Sequence, residues 1–189
     1  MPAPPATAAV TVRELRWTDF DPLREMYYLL YDERETNPLI GIHLFAERPS
    51  YADEVRWFSA LYQRVLGGDA VVRVAEIDGQ VVGSCAVGRD GPTATSEIGH
   101  TGTLGILVHR DFRGRGAGRE LMRTTLEGCR GRFEFVQLSV NVENPRARKL
   151  YEEFGFTAFG RRPAATRRGT RYLDVDLLQL DLRAAARKD

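Results

Sequence analysis

Residues 104–122 read LGILVHRDFRGRGAGRELM: a short apolar run, a basic turn dense in glycine, then a stretch with helical spacing. A chain written in that order enters through a strand, turns in a loop whose amides converge, and leaves through a helix whose first amides lack intrahelical acceptors. That arrangement is a site for the phosphates of a nucleotide-like molecule. Gly114, Gly116 and Gly118 remove side chains where the backbone turns sharply, approaches a ligand or packs against the strand behind it. Arg113 and Arg115 put fixed positive charge beside those amides, and Arg119 falls in the first helical turn. Leu121, Met122, Thr125, Leu126 and Cys129 then recur at helical spacing, with Gly131 as the expected stop. A Rossmann fingerprint wants glycine where Arg119 stands, and a P-loop wants a Gly-Lys-Ser/Thr triplet that this chain lacks. The other local reading is a surface turn that is merely rich in arginine and glycine.

A second segment adds to the first. Residues 133–142, FEFVQLSVNV, alternate in the manner of a strand and run into Asn144-Pro145 and then RARKLYEEFGF. Asn144 suits an N-cap, Pro145 the first helical position, and Gly155 the end, so a short helix is predicted over residues 145–154. Ala147, Leu150, Tyr151 and Phe154 share one face of it, which turns the Tyr151 hydroxyl inward, where it needs a partner. A core tyrosine bonded to a backbone carbonyl would satisfy that need equally well.

Arg113-x-x-Gly116-x-Gly118 after an apolar strand, followed by LSVNVEN and ARKLYEEFGF, resembles the GNAT superfamily of N-acetyltransferases. Further features extend the likeness: VTVRELRWTDFDPL is similar to the first strand and helix entry, VVRVAEIDGQVVGSCAV to the central hairpin, and GFTAFGRRPAATRRGTRYLDVDLLQLDL to the closing hairpin. The resemblance implies an α/β (α+β) GNAT fold: a mixed, mostly antiparallel sheet splayed between its fourth and fifth strands, with helices on both faces. It also implies acetyl-CoA as co-substrate and transfer of its acetyl group to a primary amine by direct attack. On this reading the pantetheine arm lies along Ile106, Leu107 and Val108, and the pyrophosphate sits on the loop Arg113, Gly114, Arg115, Gly116, Ala117, Gly118 and Arg119. An amide near Leu107 or Val108 polarises the thioester carbonyl, Asn144 contacts the pantetheine, and Tyr151 is the general acid that protonates the departing thiolate.

The resemblance thins at the base. Relatives often carry a glutamate on the strand before LGILV, where this chain has Gly102 and Thr103. Glu97 and His100 are the nearest titratable residues in sequence; each also fits a plain surface role, and a water relay would need neither. His109 follows the strand and shapes its turn, whereas His43 falls between the first two helices. Residues 37–51 and 161–172 are the expected specificity segments. Tyr27, Tyr28, Tyr31 and Phe45 are candidates to line the acceptor pocket, although the spacing of Tyr27 and Tyr31 favours the core.

The rest of the chain is consistent with one such domain over residues 10–183, between tails at 1–9 and 184–189. Expected elements are a strand at 10–15, helices at 22–33 and 51–66, strands at 70–77 and 80–87 joined across Asp78-Gly79, and a strand at 101–108. Val55, Phe58, Leu61, Tyr62 and Val65 mark the apolar side of the second helix. The net charge of +1 makes no global case for nucleic acid, and no apolar run reaches membrane-spanning length. Cys85 and Cys129 lack metal-ligand spacing and read as buried free thiols, so no metal and a reducing, cytoplasmic setting are expected. A small-molecule amine is the expected acceptor. A protein N-terminus or lysine, or a non-catalytic acyl-CoA sensor, are the alternatives, and a homodimer is compatible with the sequence.

Overall fold

The Asp78-Gly79 turn forms as its sequence requires. The computed structural model describes residues 9–37, 40 and 44–183, so His43, the 184–189 tail and all but the last residue of the N-terminal tail lie outside the described residues. β2 (Ala70–Ile77) and β3 (Gln80–Arg89) pair antiparallel across the two turn residues. Asp78 and Gly79 take φ of 51° and 76°, the left-handed pair that a two-residue hairpin turn needs. β2 is buried along almost its whole length, because both faces of the sheet are covered.

The other strands are β1 (Thr11–Glu14), β4 (Thr101–Val108), β5 (Phe135–Asn141), β6 (Thr157–Arg168) and β7 (Arg171–Asp181). All seven form one sheet in the order β1-β2-β3-β4-β5-β7-β6. Neighbours are antiparallel except β4 and β5, which run parallel and pair only at Thr101↔Phe135, Gly102↔Val136 and Thr103↔Gln137. From Leu104 onward they part. β4 stays in register with β3 as far as Val108, and β5 with β7 as far as Asn141. The predicted splay is therefore present, and each parted strand keeps one edge without a strand partner.

Alternation along β2 divides the core. Val72 and Val74 pack with Leu23, Met26 and Phe58 from α1 (Phe20–Thr36) and α2 (Tyr51–Leu66). Val71 and Ala75 face the opposite side, with Leu121, Met122 and Leu126 of α3 (Ala117–Cys129), where α4 (Pro145–Glu153) adds Tyr151. α1 is longer than the expected 22–33 at both ends. A single 3-10 turn at Trp17–Asp19 runs directly into it, and Pro22 falls in the first turn, where its missing N–H is not needed.

α2 has the predicted bounds, and Ser50 and Asp53 cap it reciprocally. Its buried face differs from the expected one. Glu54 and Phe58 are the buried residues, while Val55, Leu61, Tyr62 and Val65 are only half-buried. Cys85 and Cys129 are buried free thiols, and burial pushes both up to about 12. No described helix is long and apolar enough to cross a membrane, and no cluster of three metal-ligating side chains stands among the described residues.

Candidate active site

Where β4 ends, His109 Nδ1 accepts from the Asp111 amide at 3.3 Å and shapes a one-turn 3-10 segment, Arg110–Phe112. The chain then passes Gly114 at φ +82° and Gly116 at φ +89° before entering α3. Both angles belong to glycine. Gly116 is the N-cap of α3 and no side chain caps the helix, so its first amides are left for another acceptor. A Cβ on Gly116 would meet nothing within 4 Å, whereas one on Gly118 would touch Leu150 and Val108 at 3.7 and 3.8 Å. Gly116 thus opens toward a ligand, and Gly118 keeps α3 close to β4 and α4.

The parted strands enclose a cleft of about 770 Å³. It brings together Ile106, Leu107, Val108, Arg113, Gly114, Gly116, Gly118, Arg119, Asn144 and Tyr151. Two expected residues are outside its lining: Ala117 is buried, and the Arg115 guanidinium lies 5.2 Å over the Phe112 ring. Asn144 Oδ1 caps α4 through the Ala147 amide at 3.1 Å. Arg119 forms an ion pair with Glu153.

Arg113 is held from three sides. Its Nη1 donates to Glu33 Oε1, Nη2 to Glu33 Oε2 at 2.8 Å, and Nε to the Val108 carbonyl at 3.0 Å. Glu33 is 6% exposed and also accepts from Asn37 Nδ2 at 2.9 Å. The Arg113 guanidinium holds its carboxyl below the ordinary carboxylate range. Arg113 therefore ties the loop to α1 across the end of β4, a geometry that sequence spacing alone does not disclose.

Two further cations line the cleft, Arg146 and Lys149 of α4. Arg146 Nη2 comes within 3.2 Å of where a Cβ on Gly114 would stand. Their signal lay in the helix RARKLYEE, where Arg146, Lys149 and Glu153 recur three and four residues apart on the side facing the loop.

Tyr151 is buried, with its ring 6.1 Å from that of Phe156. Its hydroxyl makes no hydrogen bond with any described residue, so the carbonyl partner of a purely structural tyrosine is missing. Burial, with a smaller contribution from the neighbouring Cys85, raises its pKa above the ordinary phenol value and keeps it protonated.

Neither sequence candidate for a base is at the cleft. Glu97 and His100 are exposed in the turn before β4, and the His100 ring packs 6.0 Å from Phe135. Six residues of extended chain separate His100 from Ile106, roughly 20 Å at the usual rise. A Cβ on Gly102 would fall 2.7 Å from Val87, and the Thr103 hydroxyl donates to Asp90 at 2.6 Å.

On the α1/α2 side of β4 lies a second cavity, of about 440 Å³, that shares Ile106 and Leu107 with the cleft. Of the expected specificity segments, Phe45 and Pro49 line it, Asn37 and Ile40 line the cleft, and none of the described residues of 161–172 lines either. Tyr27 faces this cavity, whereas Tyr31 is buried and the Tyr28 hydroxyl donates to the Pro49 carbonyl at 2.9 Å. Glu54 is a lining residue that the sequence did not mark. It sits four residues before Phe58, at apolar-face spacing, and a carboxylate there is itself the signal.

The acetyltransferase (GNAT) family model matches residues 23–156. The L-amino acid N-acyltransferase MnaT of Escherichia coli is 28% identical over 135 residues, 69% of this chain and 73% of that protein. The L-amino acid N-acetyltransferase AaaT of the same organism is 33% identical over 104 residues, 54% of this chain and 62% of that protein. Among solved structures, yncA from Salmonella typhimurium with its cofactor acetyl-CoA superposes with a TM-score of 0.76 at 22% identity, over 92% of this chain and 94% of that one. The chain belongs to the acetyltransferase (GNAT) family.

Proposed function

We propose that the protein transfers the acetyl group of acetyl-CoA to the primary amine of a small molecule. The observation that carries this reading is the fork between β4 and β5, which opens directly above an uncapped helix N-terminus. The cleft has apolar β4 residues at one end and glycine amides with Arg146 and Lys149 at the other. That polarity suits a long thioester with an anionic head. The names of MnaT and AaaT place amino acids as acceptors in those relatives, and a small acceptor is the class they lend to this chain.

Acetyl-CoA, when bound, supplies an acyl group activated as a thioester. The amides of residues 114–118 hold its diphosphate, and Arg146 and Lys149 add charge without sharing it with a carboxylate among the described residues. The free edge of Ile106–Val108 receives the arm and offers an amide to the carbonyl oxygen, an electrostatic contribution that strengthens as charge develops there. Tyr151, protonated and without a hydrogen-bond partner among the described residues, gives its proton to the leaving sulfur. Asn144 holds the start of α4, and so the position of Tyr151, as well as bordering the cleft.

Replacing Gly116 by valine puts a β-branched side chain at φ +89° in the opening of the loop. A folded Gly116→Val protein is expected to lose at least tenfold in coenzyme A affinity by calorimetry. Unchanged affinity would remove the loop from the site. For proton removal from the acceptor, Glu97→Gln and His100→Gln are expected to leave kcat within about twofold. The pH profile should follow the amine's own pKa when amines of graded basicity are compared. Loss of one limb in either variant, whatever the amine, would identify a dedicated base.

A further inference from the structure

Among the described residues, the cavity behind β4 carries charge of one sign only. Its walls are apolar or aromatic, with Leu23, Phe45, Trp57 and Leu61, and its charged lining residues are Asp53 and Glu54. No arginine, lysine or histidine among the described residues lines it. Asp53 is already engaged by the Ser50 cap and by Arg56 at the start of α2. Glu54 is only 5% exposed and accepts no hydrogen bond from any described residue. The groups that face it are Arg24 and Tyr27 of α1 and Asp53 on its own helix. Arg24 is bonded to Asp21 and stacked among the rings of Phe20, Tyr28 and Tyr51.

A carboxylate withdrawn from water without a donor is costly, and burial accordingly raises the Glu54 carboxyl. Arg24 offsets part of that cost; a ligand cation seated in the cavity would relieve more of it, while a ligand carboxylate would add a second negative charge beside Glu54.

We infer that the acceptor is an amine bearing an apolar or aromatic group and no free carboxylate beside its nitrogen, and that Glu54 receives its ammonium, which gives a proton to water before the nitrogen attacks the thioester carbon. The inference rests on the acetyltransfer reading, in which the two substrates meet at Ile106 and Leu107, which line both cavities. Ammonium at Glu54 and hydrocarbon against Trp57 and Leu61 account for the cavity's lining. The α-carboxylate of a free amino acid finds no cation among the described lining residues.

The test compares matched acceptors on the unmutated protein, following coenzyme A release: 2-phenylethylamine, L-phenylalanine and L-phenylalaninamide, then 3-methylbutylamine and L-leucine. Measuring at two pH values separates amine basicity from charge recognition. Each amine is expected to exceed its amino acid at least tenfold in kcat/KM, with the amide close to the amine. Glu54→Gln is expected to raise KM for the amines at least tenfold with kcat changed less than threefold, as for a contact made equally in the ground and transition states. It should also narrow the gap between amine and amino acid. Amino acids used as well as amines, no turnover of any amine while coenzyme A binds, or an unaffected Gln variant would each overturn the inference. If that variant does not fold, the substrate pairs alone decide. Failure of the parent protein to bind acetyl-CoA would instead overturn the acetyltransfer reading itself.

Discussion

Tyr151→Phe is expected to lower turnover by about 10²–10⁴, the range for removing a positioned general acid, with coenzyme A affinity unchanged. The ring stays against Phe156, so packing is kept and only the proton is lost. Stability gives an independent readout. A tyrosine bonded to a buried carbonyl would lose about 1 kcal/mol with its hydroxyl, but this hydroxyl has no partner among the described residues, so the variant should melt within a degree or two of the parent. A catalytic role therefore predicts slow and stable, and a structural one predicts active and weakened. Unchanged turnover, with chemistry shown to be rate-limiting, would leave Tyr151 a packing residue.

What the sequence disclosed was local. Asp78-Gly79, the glycines at 114 and 116, and Asn144-Pro145 each dictate backbone angles or a cap within a few residues, and each forms as read. The same holds for the bounds of α2 and β4. Pairings across the chain were not legible in that way. Glu33 and Arg113 stand 80 positions apart, and neither segment mentions the other, so the ion pair was not foreseen beside the expected place of Arg113 on the phosphate loop. Glu54 was hidden for a different reason. An apolar-face search skips charged residues, although its spacing from Phe58 places it on the buried stripe. Tyr27 repeats the difficulty, since helical spacing turns it inward without saying whether core or cavity lies there. Phe45 and Pro49 of the first expected specificity segment line the second cavity, while no described residue of 161–172 lines either cavity, β6 lying at the outer edge of the sheet.

The Glu33–Arg113 pair makes the loop's anchoring a measurable quantity. Arg113→Met leaves a buried carboxylate with Asn37 as its remaining described donor. Breaking a buried pair from one side costs about 3–5 kcal/mol, and the lower end applies here because the Arg113 side chain is 31% exposed. At roughly 2–4 °C per kcal/mol for a chain of this size, the expected fall in Tm is roughly 6–12 °C near neutral pH. The sign of its pH dependence follows from the carboxyl. Glu33 is depressed in the folded protein, so its contribution is present above the unfolded value, about 4.3, and is lost as pH falls through the lower folded value. The gap between parent and variant should therefore close in acid, where Glu33 is neutral in both. Arg113→Met with Glu33→Met should recover much of the loss, because no unpaired charge then remains. An Arg113 that served only the diphosphate would behave oppositely: the single variant would lose coenzyme A affinity, keep its Tm, and gain nothing from the second substitution.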